Sequence, residues 1–74
     1  MAVVALAGGD TGNSGALAAD TIFYVEEGEV ELSTDAGTTY IPWQQGQGDK
    51  FASGLTVHWR NKRATAAILK YMSI

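Results

Sequence analysis

The chain has 74 residues, 46% of them hydrophobic, with no cysteine, one histidine and a formal net charge of −3. That length gives one small domain, and the absent thiols exclude disulfides and thiolate metal sites, while His58 alone cannot build a histidine metal centre. No apolar run approaches the roughly 18 residues a membrane span needs, and the hydrophobic share is that of a globular chain.

In chain order, residues 2–7 are a short apolar run that could form a strand, followed by a small-residue loop over residues 8–15. Residues 1–19 are expected to form an extended N-terminal arm, docking through Val3, Val4 and Leu6. The first apolar residues have no positive stretch before them, so no secretion signal is expected. Residues 20–74 then make the domain proper. Thr21 to Glu26 is rich in β-branched and aromatic residues and reads as a strand. Glu27-Gly28 is a two-residue turn signal. Glu29 to Ser33 alternates with period two, so Val30 and Leu32 should face inward and Glu29 and Glu31 should face water. Thr38 to Trp43 returns as a third strand that is an edge near Pro42 or ends there, because Pro42 lacks an N–H donor. Residues 44–49 form a loop and Lys50 to Ala52 a short strand. Leu55 to Arg60 alternates with Leu55, Val57 and Trp59 inward. Asn61-Lys62 reads as a hairpin tip. Residues 64–74 have helix-favouring alanines, yet a hairpin return makes them a strand. The fold class is all-β: a small antiparallel meander, sandwich or barrel.

Charge is segregated along the chain. Residues 1–37 hold seven acids and no Lys or Arg; residues 38–74 hold Asp49 against Lys50, Arg60, Lys62, Arg63 and Lys70. The halves carry −7 and +4, which together give the net −3. This favours pairing of the halves within one molecule, and also contact between copies. Few covalent or metal staples are open to so small a core, so a homo-oligomer is expected.

The stretch Ser33-Thr34-Asp35-Ala36-Gly37-Thr38-Thr39-Tyr40 is a turn. Asp35 can fold back onto backbone N–H groups, Gly37 can take a positive φ, and Tyr40 can close over the hairpin.

No constellation in the sequence carries catalysis, a metal or a cofactor. His58 alternates outward and has no nucleophile placed for it. Glu29 and Glu31 share an exposed strand face, where such residues serve solubility and edge protection. Gly46-Gln47-Gly48 lacks the Lys-Ser/Thr or helix that a phosphate loop needs. The cluster Trp59, Arg60, Lys62, Arg63 suits a protein contact; a pI near 4.7 argues against nucleic acid as partner. Trp43, Tyr40 and Trp59 could instead form an aromatic platform, giving an alternative as a glycan- or ligand-binding β module.

Ser33, Asp35, Gly37, Thr39 and Tyr40 resemble the Asp-box hairpin of sialidase propellers, a structural turn away from the catalytic centre. The resemblance implies the hairpin and nothing about sialidase activity. The Gly/Ala/Ser-rich start, this box and the strand Gly54 to Asn61 leading to an Ala-rich end also resemble small tailed-phage virion proteins of the head-decoration or tail kind. That resemblance implies a non-catalytic structural protein in a virion, made in the host cytoplasm, contacting other virion proteins through its arm.

Overall fold

The computed structural model describes residues 1–74. It is all-β, as the alternating patterns predict, with strands β1 (Ala2–Leu6), β2 (Thr11–Ala16), β3 (Thr21–Glu27), β4 (Glu29–Ser33), β5 (Ile41–Gln44), β6 (Gly48–Phe51), β7 (Thr56–Arg60) and β8 (Ala67–Ser73). They form two four-stranded sheets, ordered β1-β8-β3-β6 and β2-β7-β4-β5. Every ladder is antiparallel.

The inward faces follow period two. Phe23, Val25, Val30, Val57 and Leu69 are fully buried, and Leu6, Leu32, Trp59 and Ala67 nearly so. Val30, Leu32, Val57 and Trp59 point inward as expected; Leu55 precedes β7 and stays 38% exposed. Burying each large apolar side chain contributes about 1.5–3 kcal/mol. A chain of rings holds the middle. Tyr71 stacks on Phe23 at 4.7 Å, Phe51 meets Phe23 edge-on at 5.3 Å, and Trp59 tilts against Tyr71 at 6.0 Å.

Connectivity departs from a run of hairpins. Only β4 and β5 are consecutive strands paired in one sheet. Glu27-Gly28 is a corner that carries the chain from the first sheet to the second. A Cβ on Gly28, at φ +76, would lie 2.9 Å from the Ala67 Cβ, so only glycine fits. Asn61-Lys62 is not a hairpin tip either. The chain crosses there to β8, which sits between β1 and β3. Partners on both sides override the helix preference of its alanines, and the segment is a strand as expected.

Residues 1–19, expected as an arm, are built into the domain. β1 pairs with β8 over five residues, and β2 pairs with β7. Leu6 is 3% exposed. Gly12 lies against the Trp59 indole so closely that a Cβ there would sit 2.6 Å from Nε1. Small residues in β2 are what let the core tryptophan reach this edge.

Asn61 ties this flank shut. Its side-chain amide donates to the Leu6 and Thr65 carbonyls, at 3.2 and 2.8 Å, and its side-chain oxygen accepts from the Arg63 N–H. Its own backbone pairs with Gly9 and Asp10 in the β1–β2 turn. The residue is 1% exposed with every side-chain polar atom satisfied, the condition for a buried amide to stabilise rather than cost.

The segregated charges meet within the molecule. Glu31 pairs with Arg60, Glu29 with Arg63 and Glu26 with Lys70. Each pair joins an acid of the first half to a base of the second. Glu29 and Glu31, expected to face water, have side chains only 15% and 16% exposed beneath their arginines.

Candidate functional site

The β4–β5 connection folds as the Asp-box pattern predicts. The Ser33 hydroxyl donates to Asp35 Oδ1 at 2.6 Å and accepts from the Gly37 N–H at 3.1 Å. Asp35 Oδ1 also accepts from the Thr39 N–H at 2.8 Å. The backbone turns through Ala36 at φ 60 and Gly37 at φ 85. Tyr40 closes over it: a Cβ on Gly37 would lie 3.3 Å from the Tyr40 hydroxyl. The Arg60 guanidinium covers the outer side of that ring at 3.8 Å, a cation–π contact. Hydrogen bonds from the Ser33 hydroxyl and then the Thr39 N–H hold the Asp35 carboxyl below its ordinary range, so it is ionised at neutral pH.

Beside this turn the two sheets part. The edge strands β5 and β6, the end of β4 and the turn line a half-open cavity of about 440 Å³. Its apolar wall is Leu32, Ile41, Trp43 and Phe51. Trp43 and Phe51 stack at 5.7 Å, one ring from each sheet. Ser33, Thr34, Asp35, Thr39 and Asp49 make up its polar lining. Asp49 enters from the inner face of β6, across from buried Phe23 in the β3 ladder.

The residues expected to form an interface are scattered. Leu6 and Trp59 are buried in the core, Val4 packs against it, and Val3 is 60% exposed on the outer face of β1. Arg60 and Arg63 lie in ion pairs, and Lys62 is exposed in the β7–β8 connection. The three-ring platform does not form either. Trp59 is 6% exposed, Tyr40 caps the turn under Arg60, and only Trp43 reaches the cavity. Of the expected residues, the structure gathers Ser33, Asp35, Thr39 and Trp43 around one opening.

Asp49 and Phe51 were missed. Their signal was parity: they stand two apart on a short strand, so both face inward if either does. Reading residues 44–49 as loop hid it. His58 lies opposite Ser33 in the β4–β7 ladder, but the Ser33 hydroxyl proton is committed to Asp35. No group of three or more His, Cys, Asp and Glu side chains converges as a metal site.

No family model matches the sequence, and no curated protein matches it. Solved structures do match the fold. A Cupin_2 domain of an XRE-family transcriptional regulator from Enterobacter cloacae aligns with TM-score 0.80 and 22% identity, over 93% of this chain and 73% of that one. A protein of Thermus thermophilus aligns with TM-score 0.76 and 24% identity, over 93% of this chain and 65% of that one. A protein of unknown function from Rhizobium leguminosarum bv. viciae 3841 aligns with TM-score 0.67 and 25% identity, over 86% of this chain and 58% of that one. The fold is therefore a cupin-like β-sandwich. This overturns the expectation of a phage virion, capsid-decoration or tail protein, because the first of these fold neighbours is a Cupin_2 domain of a transcriptional regulator and not a virion protein. The features behind that expectation were local. The supposed arm is two sheet strands, and the Asp-box turn is a hairpin that any β fold can carry.

Proposed function

We propose that this domain is a small-molecule-binding β module whose ligand sits in the cavity beside Trp43 and Phe51. One observation carries the reading: the core is sealed on the β1/β2 flank by Leu6 and Asn61, yet open on the β5/β6 flank, where apolar and aromatic side chains line about 440 Å³. Ligand pockets typically measure roughly 300–1,000 Å³ and combine apolar walls with a few polar groups at the rim. A domain this small gains stability from every apolar side chain it buries, so an aromatic stack left facing an opening is suited to a guest. The reading is one of binding rather than turnover, since Ser33 serves the turn and His58 lies on the outward face of β7.

The test is a thermal-shift screen of the whole chain against chemically diverse small molecules, followed by tryptophan fluorescence. A ligand at a hundred times its Kd should stabilise the fold by about 2.7 kcal/mol. Trp43→Ala should remove the shift and the fluorescence change together. The proposal fails if no compound shifts the melting temperature, or if the hits stabilise Trp43→Ala equally well.

A further inference from the structure

The charge around the cavity selects among small molecules. Two acidic residues line it from different elements, Asp35 in the β4–β5 turn and Asp49 on β6. No Lys, Arg or His lines it. All five cations of the chain are placed elsewhere. Arg60, Arg63 and Lys70 are paired with Glu31, Glu29 and Glu26. Lys50 alternates to the outer face of β6, and Lys62 is exposed beyond β7. Asp35 uses Oδ1 for the turn, and Asp49 Oδ1 accepts from the N–H of its neighbour Lys50. Neither carboxylate meets a cation of its own molecule. An inward acid on an edge strand can also serve to discourage sheet extension, which would account for Asp49 on β6. It does not account for Asp35, which lies in a turn.

From this we infer that the ligand is an organic cation, an ammonium group carried on an aromatic or branched aliphatic body. The apolar body fits against the Trp43–Phe51 stack, 5.7 Å between ring centres, with Leu32 and Ile41 beside it. The ammonium is drawn to the two carboxylates and to the ring faces, as cations are to tryptophan. An anionic ligand would meet two like charges, and a neutral one would leave both unanswered. The inference rests on the binding reading above and narrows it to one class.

The experiment compares three isosteres on the full chain by calorimetry and tryptophan fluorescence: phenethylammonium, 2-phenylethanol and 3-phenylpropionate. The ammonium should bind at least about tenfold more tightly than the alcohol, and the carboxylate should not bind. Added sodium chloride should narrow the gap by screening. Asp49→Asn should weaken the ammonium and leave the alcohol unchanged; should that variant fold poorly, the salt titration of the native chain makes the same distinction. Equal affinity for ammonium and alcohol overturns the cation inference while the binding reading stands. Equal weakening of both by Asp49→Asn, or no binding by any of the three, also overturns it. The binding reading itself is decided separately by the diverse screen and Trp43→Ala.

Discussion

On the β1/β2 flank, Asn61 is buried, uses both side-chain amide atoms, and ties residues 6–10 to residues 63–65 of its own loop. On the β5/β6 flank, Ser33 and Asp35 make a polar network of similar size, but every bond stays within residues 33–39. The first network fastens the β1–β2 turn to the β7–β8 connection. The second shapes one local turn and leaves the space beside it open. A buried polar group that ties distant chain segments is expensive to disturb, because its partners are left unpaired and dry. A local exposed turn can lose a bond to water. The molecule is thus stabilised on one flank and free to bind on the other.

The largest effect should come from the sealed flank. Trp59→Ala removes a ring packed on Gly12 and Tyr71 and should cost about 3–5 kcal/mol, read as a fall in the urea midpoint or outright unfolding. Asn61→Ala should follow at about 3 kcal/mol, since it orphans buried backbone groups. A loss below about 1 kcal/mol would mean that the flank is not sealed by this residue. On the open flank, Trp43→Ala loses a half-buried stack and should cost only about 1 kcal/mol, while removing ligand binding entirely. If it proves as damaging as Trp59→Ala, the two flanks are not different in kind.

The acid limb of stability sharpens the contrast. Asp35 and Glu29 are both held below the ordinary carboxylate range in the folded protein. For Asp35 the causes are the Ser33 hydroxyl and then the Thr39 N–H; for Glu29 they are the Arg63 hydrogen bond and then that of Gln44. A lowered folded pKa means the contribution is present at neutral pH and is lost as pH falls through the folded value. Asp35→Asn and Glu29→Gln should each flatten the acid limb of a melting-temperature profile. Salt should separate them. The Glu29 contribution rests on an ion pair with a largely exposed arginine and should shrink in sodium chloride; that of Asp35 rests on neutral donors and should persist. The smallest effect lies at the basic limb. Lys70 is raised by its hydrogen bond to Glu26, so its contribution is full below the ordinary lysine value and lost as pH climbs above it. Lys70→Met should remove that late fall.

Strand positions and buried faces were legible because alternation is a local property. Val30, Leu32, Val57 and Trp59 could all be placed inward before any partner was known. The Asp-box turn was legible for the same reason, since its bonds span four residues or fewer. Which sheet each strand joins was not legible. Period two fixes the face a residue presents, not the strand beside it. Six of the seven connections cross between sheets, and nothing in Glu27-Gly28 or Asn61-Lys62 distinguishes a corner from a hairpin.

By itself, the sequence determined an all-β domain without thiols, with an Asp-box turn and with opposite charges held in its two halves. The tertiary structure decided the rest. It turned a supposed arm into an edge of each sheet, used three ion pairs to join the halves, and set Asp49 beside Asp35 at an opening between the sheets. The physical reason is distance along the chain. A turn or a strand face is settled by neighbours a few residues apart, whereas this cavity depends on how whole strands from two sheets are set against each other.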